Sequence, residues 1–186
     1  MTNPIKLGIA GLGTVGIGVV KIIQQKAETL QARTGRKIEI VAVSAKSKNK
    51  DRGIDLRMYD WESDPVTLAN RKDIDIFVEL IGGHVGPAKN SIFAAIDNEK
   101  HIVTANKALL AHHGQQLAEK TENKKKLLRF EAAVAGGIPV IKALTEGLAG
   151  NSLTRVVGVM NGTCNYILSE KHLKPYNSHQ WNLILF

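Results

Sequence analysis

Three glycines stand between the first buried strand and the first helix that the sequence predicts. The apolar run IKLGIA ends at GLGTVG, which supplies Gly11, Gly13 and Gly16, and apolar residues at helical spacing follow. In this context the first glycine permits a tight turn, the second lets a pyrophosphate approach the backbone, and the third lets helix pack on strand. The pattern predicts a dinucleotide-binding turn, with Thr14 and Val15 opening the helix beside the phosphates, and a merely structural turn is the alternative.

Strands and helices alternate along most of the chain. Buried strands are predicted at IKLGIA, KIEIVAVSA, IDIFVELIGG, HIVTAN and LLRFEAAV, with helices at TVGIGVVKIIQQKAETLQAR, GPAKNSIFAAIDNEK and KALLAHHGQQLAEKTENKK. The region 48–64 receives no assignment. This alternation predicts an α/β fold, a doubly wound parallel sheet of Rossmann type with right-handed crossovers.

The alternation ends after Val134. The segment AGGIPVIKALTEGLAGN predicts a glycine turn and a helix started by Pro139, and LTRVVGVMNGT predicts a strand that belongs to another sheet. We therefore predict an NAD(P)-binding domain over 1–134 and the beginning of a substrate domain of α+β type over 135–186.

Charge and composition narrow the range of partners. The formal net charge of +8 favours anionic ligands, but aromatic residues are not interleaved with the basic ones as a single-strand nucleic-acid platform needs. The single cysteine, Cys164, excludes an internal disulfide and is consistent with a reducing compartment. No apolar run reaches the length of about 18 residues that a membrane span requires. We predict a cytoplasmic protein that binds a small-molecule substrate, and neither nucleic acid nor membrane.

The end of the second strand bears on the choice of dinucleotide. An NAD site normally carries an acidic residue there, which binds the adenosine ribose. Here Val43, a candidate cofactor contact, and Ser44 are followed by Lys46, and no acid occurs before Asp51. A lysine at this point suits a 2′-phosphate, so NADP(H) is favoured, NAD(H) stays possible, and Lys46 is the first candidate contact. The alternative is that these are ordinary loop lysines.

The ends of the later strands should line the same crevice, because ligands of open α/β sheets bind beyond the carboxyl ends of the strands. Gly82 and Gly83 leave room there for the nicotinamide half, and Thr104 lies on the same edge. Lys107 opens a helix, where the macrodipole disfavours a cation, which is a costly position for a purely structural lysine. A solvated surface lysine is the alternative. His84 is either a cofactor contact or a surface residue.

Five segments together carry a family resemblance. In this order, GIAGLGTVGIGVV, VELIGG, VTANKALLA, FEAAVAGGIPVI and VVGVMNGTCNYIL resemble homoserine dehydrogenase, from about Ile5 to about Leu168. The resemblance implies a reversible, NAD(P)H-dependent interconversion of L-aspartate 4-semialdehyde and L-homoserine, on the shared route to threonine and methionine. It places Lys107 near the reacting carbonyl and the cofactor, where its ammonium could polarise or protonate the oxygen, so the resemblance makes Lys107 the candidate catalytic residue.

The same resemblance implies further site residues. Asn161, Gly162 and Thr163 match positions that contact substrate or nicotinamide. The family also has a sodium site, in which one carboxylate and several backbone carbonyls coordinate the ion. The matching positions in this sequence are Glu131, Val134, Gly136 and Ile138. Family members usually form homodimers through the substrate domain.

After Ser169 the sequence departs from the family pattern, and HLKPYNSHQWNLILF has neither a helical stripe nor the expected acidic residues. We expect a truncated or frameshifted end, and hence a chain that binds cofactor with little or no turnover. The alternative is a non-catalytic NADP(H)-binding module that acts with a partner chain.

Overall fold

The computed structural model describes residues 3–158. The chain divides into two compact units, 1–147 and 148–186. All helices and strands of the described part belong to the first unit. The strand predicted across LTRVVGVMNGT is wrong as far as residue 158, because residues 152–158 have no regular secondary structure. The predicted boundary after residue 134, between a cofactor-binding domain and a substrate domain, is defined by function. It stays a prediction.

Six parallel strands form one sheet in the described part of the chain, in the order β3-β2-β1-β4-β5-β6. The strands are β1 Ile5–Ala10, β2 Ile38–Ser44, β3 Asp60–Glu62, β4 Ile76–Glu79, β5 His101–Thr104 and β6 Leu128–Arg129. This is the strand order of the Rossmann fold, so the predicted doubly wound sheet is confirmed. The short strand β3 lies in the region that the sequence left unassigned.

Helices connect the strands, and one short helix follows the last strand. They are α1 Thr14–Gln25, α2 Ala27–Thr34, α3 Pro65–Asn70, α4 Pro87–Asp97, α5 Lys107–Asn123 and α6 Val140–Lys142. The first predicted helix is divided in two at Lys26, whose backbone (φ −117°, ψ 22°) leaves the helical region. The strand predicted over LLRFEAAV is shorter than expected, because a 3₁₀ turn at Glu131–Ala133 ends it. Pro139 directly precedes α6, as predicted.

The core has a layer on each face of the sheet. Successive strand residues enter opposite layers, as the pleat of a strand requires: Ile9 and Val78 face α1, whereas Ala10 and Phe77 face α3, α4 and α5. All four are buried. Burial on both faces explains why the strands are nearly continuous apolar runs.

The neighbouring strands β1 and β4 mark the point where the chain reverses its direction of travel across the sheet. The Gly11 amide donates to the Ser44 carbonyl at the end of β2 (2.8 Å), and the Leu80 amide donates to the Ala10 carbonyl at the end of β1 (2.7 Å). The carboxyl ends of β1, β2 and β4 therefore lie side by side, where ligands of such sheets bind. In residues 3–158 no helix has the length and apolarity to cross a membrane.

Candidate nucleotide-binding site

Two glycines of the turn are required by the fold itself. Gly11 adopts φ +100°, and a Cβ there would lie 2.3 Å from the Leu80 carbonyl oxygen. A Cβ on Gly16 would lie 1.9 Å from the Gly11 carbonyl oxygen, far inside van der Waals contact. The first glycine thus lets β1 turn beside β4, and the third brings α1 against the turn, as the sequence predicted.

Gly13 has a different reason to be glycine. A Cβ built on it meets no atom within 4 Å, and its φ of −77° suits any residue. Gly13 is also the N-cap of α1 and offers no side chain to the free N–H groups of the first turn. By contrast, Asp64 caps α3 and Asn106 caps α5 through their side chains. Open space beside uncapped amides at Gly13, Thr14 and Val15 fits a pyrophosphate, so the cradle suits a dinucleotide.

A small cleft of about 140 Å³ opens beside this turn. It is lined by residues from the start of α1 and from the ends of β4 and β5: Val15, Leu80, Ile81, Gly82, Ala105 and Asn106. Val15 at its rim is 56% exposed. An exposed valine at the mouth of a cleft offers apolar contact to a flat ring. Gly82 and Gly83 lie where the sequence predicted them, and neither has an atom within 4 Å of its Cβ position.

A buried carboxylate beneath this cleft was not found from the sequence. Glu79 ends β4 and is fully buried. Its Oε1 accepts hydrogen bonds from the amides of Ile81 (2.8 Å) and Gly82 (3.2 Å) and from the Asn106 side chain (3.4 Å). Its Oε2 accepts from the Thr104 hydroxyl at 2.6 Å. The only sequence signal was an acidic residue inside an otherwise apolar strand.

The predicted cofactor residue Thr104 belongs to this network. It is buried, and its hydroxyl, besides donating to Glu79, accepts from the Asn106 amide at 3.0 Å. Its side chain is therefore engaged within the protein, and any contact with a cofactor would involve its backbone. The predicted cofactor contact Val43 is the second-to-last residue of β2 and is likewise fully buried.

The loop after β2 presents Lys46 to solvent. The Lys46 side chain is exposed and has no hydrogen-bond or ion-pair partner among residues 3–158. The loop itself is held by Arg52, whose guanidinium donates to the carbonyls of Leu12 (3.3 Å), Ser47 (2.6 Å) and Lys50 (2.9 Å). Arg52 thus ties this loop to the glycine turn. The sequence showed it only as a member of a basic run.

Lys107 is the first residue of α5, as predicted, and it is exposed. Within the described ranges its ammonium has no ion-pair partner. Asn106 precedes it, accepts from the Leu109 amide (3.0 Å) and donates to the Gly83 carbonyl (2.7 Å), so α5 begins at the edge of the cleft. Lys107 and the glycine turn therefore lie at the same edge of the sheet.

His84 connects the loop after Gly83 to α5. Its ring stacks on that of His112, with centroids 4.0 Å apart, and its carbonyl oxygen lies 3.1 Å from Nε2 of His113. These contacts hold the loop against α5.

The predicted sodium residues lie in the turn that follows β6. The Glu131 carboxylate accepts from the amides of Ile141 (3.0 Å) and Lys142 (2.8 Å) and so caps α6. Each of its oxygens keeps a free lone pair. Among residues 3–158, no hydrogen bond reaches the carbonyls of Val134 or Gly136, whereas the Ile138 carbonyl accepts from Val140 (2.8 Å). A carboxylate and unpaired carbonyls are oxygen ligands of the kind that a hard cation prefers, so the donor set fits sodium.

The predicted substrate contacts Asn161, Gly162 and Thr163 lie outside the described residues.

A larger cavity, of about 620 Å³, lies at the amino ends of the strands, opposite the glycine turn. It is lined by the starts of β1, β4 and β5, and by Lys72, Lys100 and Lys126. Burial lowers the pKa of Lys100. Despite its size, we do not assign the nucleotide to this cavity, because open α/β sheets bind ligands at the carboxyl ends of their strands.

The fold and the glycine turn define the class: an α/β domain of Rossmann type with a dinucleotide-binding turn. Comparison with protein families agrees, since residues 11–131 match the family described as "Homoserine dehydrogenase, NAD binding domain". Residues 139–179 match the family described as "Homoserine dehydrogenase". The chain belongs to the homoserine dehydrogenase family.

Individual relatives give the same result. The chain is 47% identical to the homoserine dehydrogenase of Neisseria gonorrhoeae over 172 residues, and 45% identical to that of Pseudomonas aeruginosa. The match covers 92% of this chain and 39% of each relative. A crystal structure of a homoserine dehydrogenase from Thiobacillus denitrificans superposes with a TM-score of 0.82 at 42% identity, over 92% of this chain and 39% of that one. The chain thus spans about two fifths of the length of these relatives, which are named homoserine dehydrogenases.

Proposed function

We propose that this chain is the NADP(H)-binding part of a homoserine dehydrogenase, the enzyme that interconverts L-aspartate 4-semialdehyde and L-homoserine in threonine and methionine biosynthesis. The observation that carries the proposal is the open side of Gly13, beside uncapped amides at the start of α1. The protein itself has no use for a glycine at that position, whereas a bound pyrophosphate does.

Different residues at this edge of the sheet would contact different parts of the cofactor. The amides of Gly13, Thr14 and Val15 would hold the pyrophosphate, and Lys46 the 2′-phosphate. Gly82 and Gly83 would admit the nicotinamide into the cleft. When bound, the nicotinamide supplies or accepts the hydride of the reaction.

Lys107 is the proposed catalytic residue. Its ammonium is exposed at the start of α5, beside the cleft, and has no hydrogen-bond or ion-pair partner in the part of the chain that the structure describes. An ammonium placed at the carbonyl oxygen of the semialdehyde would stabilise the negative charge that develops there and donate a proton to it. We propose that Asn161, Gly162 and Thr163 complete the substrate contacts.

The end of β2 supports the proposed preference for NADP(H). Ser44 ends the strand, and its register partner on β3 is Glu62, whose carboxylate is already paired with Arg71 at 2.9 Å. No unpaired carboxylate is therefore offered to the ribose hydroxyls from these two strands, while Lys46 has no partner among residues 3–158.

Replacement of Lys46 by alanine is expected to weaken NADPH binding about tenfold and to leave NADH binding unchanged, because only NADPH carries the 2′-phosphate. Fluorescence titration of both nucleotides measures this. Lys72→Ala, which removes an exposed lysine from the opposite edge, is the matched control. An equal loss for both nucleotides would refute the assignment of Lys46 to the 2′-phosphate.

We also propose that the turn around Glu131 binds Na⁺. A cation that binds only the folded chain raises its thermal stability. The melting temperature should therefore be higher in NaCl than in KCl of equal concentration, and Glu131→Gln should abolish the difference. Glu146→Gln, in the same unit and paired with Arg129, should retain it. A wild-type chain with the same melting temperature in both salts would rule out the sodium site.

The proposed function is tested by adding L-aspartate 4-semialdehyde to the 186-residue chain with NADPH and following absorbance at the nicotinamide band. Binding of NADPH with little or no oxidation is the expected result for a chain that spans 39% of its relatives. Fast oxidation would support the family activity and refute the proposal that this chain is catalytically incomplete. Absence of NADPH binding would refute the proposed function. The cytoplasmic location and a homodimer stay predictions.

A further inference from the structure

Glu79 is an unusual residue for the inside of a parallel sheet. A buried carboxylate is costly unless it is paired or fully hydrogen-bonded. Among residues 3–158, Glu79 has no ion-pair partner, and it is completely buried. Its charge is therefore not offset by any cation within ion-pair distance in this part of the protein.

Every group around this carboxylate is a donor. Two backbone amides and the Asn106 side chain bond to Oε1, and the Thr104 hydroxyl bonds to Oε2. The Thr104 oxygen accepts the backbone amide of Asn106, and its own proton is available to bond to Glu79. An ionised carboxylate accepts from all four groups, so the site is built for a negative charge.

The partners of Glu79 are also the walls of the cleft. Ile81, Gly82 and Asn106 bond to the carboxylate on one side and line the 140 Å³ cleft on the other. One layer of backbone and a single amide group thus separate the charge from the cleft. Because Glu79 is completely buried, its charge is screened less than that of an exposed carboxylate.

We propose that Glu79 is a positioning residue of the nicotinamide subsite and that its buried charge favours the oxidised, cationic ring over the reduced, neutral one. The inference rests on the proposed function, since it places the nicotinamide in this cleft. Glu79 acts in two ways: its hydrogen bonds fix Ile81, Gly82 and Asn106, and its charge discriminates between the two redox forms.

Two substitutions separate these roles. Glu79→Gln removes the charge and keeps the shape, since the Thr104 oxygen can accept from the new amide. Glu79→Asp keeps the charge but shortens the side chain, so that it no longer reaches the loop amides. Glu39→Gln is the matched control, because Glu39 lies near the start of β2 and pairs with Lys37.

The test measures the dissociation constants of NADP⁺ and NADPH for each variant by calorimetric titration. Glu79→Gln should weaken NADP⁺ relative to NADPH by about three- to tenfold. Glu79→Asp should weaken both nucleotides by a similar factor, so that their ratio is kept, and Glu39→Gln should change neither constant. A loss of structural integrity alone would not alter the ratio.

Suppose that the wild-type chain binds both nucleotides and that Glu79→Gln leaves the ratio of the NADP⁺ and NADPH dissociation constants unchanged. This result would overturn the role of the charge and leave the proposed function intact. If Glu79→Gln does not fold, Glu79→Asp decides the positioning role, because wild-type affinities in that variant would overturn it. A wild-type chain that binds neither nucleotide would refute the proposed function, and this inference with it.

Discussion

Replacement of Gly13 by valine is expected to weaken NADPH binding at least about a hundredfold while the fold is kept. The new side chain would extend into open space, since no atom of the protein lies within 4 Å of the Cβ position. That space is where the pyrophosphate approaches the backbone, so valine would exclude the ligand without disturbing the protein. The loss of a glycine N-cap costs a few tenths of a kcal/mol to about 1 kcal/mol. Titration with NADPH and thermal unfolding together measure both effects.

The matched control for this prediction is Gly18→Val. Gly18 also lies in the first helix region and also has open space at its Cβ, but it is one turn beyond the phosphate-binding amides. Its substitution should leave NADPH affinity unchanged. If Gly13→Val binds NADPH as tightly as the wild type, the pyrophosphate does not lie at this turn.

Replacement of Gly16 by alanine is expected to destabilise the protein by about 3 kcal/mol or more. Its Cβ would lie 1.9 Å from the oxygen and 2.9 Å from the carbon of the Gly11 carbonyl, and backbone cannot yield as a flexible side chain does. Helix α1 would have to move away from β1. The melting temperature should fall by about 6–12 °C, or the protein should fail to fold.

Gly114→Ala is the control, and its expected effect on stability has the opposite sign. Gly114 lies inside α5, where the nearest atom to a new Cβ is the Leu110 Cβ at 3.9 Å. Alanine there should stabilise the protein by about 0.5–1 kcal/mol, because glycine is a poor helix former. A Gly16→Ala variant as stable as the wild type would contradict the close approach of α1 to the glycine turn.

The sheet could be predicted because its signals are local. Apolar runs mark the strands, and the glycine spacing marks the turn between β1 and α1. The strand β3 was missed because it has only three residues, Asp60–Glu62, and carries two acidic side chains. The break at Lys26 was missed because the apolar spacing continues through it.

The site was predicted less completely, since its supporting residues act over long separations. The Thr104 hydroxyl donates to Glu79, 25 residues earlier in the sequence, and Arg52 donates to the Leu12 carbonyl, 40 residues earlier. No spacing rule connects such pairs, because only the register of the sheet brings them together. The glycines and Lys107, by contrast, are marked by their place at the end of a strand or the start of a helix.

The central claim is that the edge formed by the glycine turn and the loop after β2 binds NADP(H). Calorimetric titration of the 186-residue chain with NADPH, and separately with NADH, tests it most directly. We predict one NADPH bound per chain, with NADH binding about tenfold more weakly. Absence of NADPH binding in a chain that unfolds cooperatively on heating would contradict the claim, because the fold would then be present without its ligand.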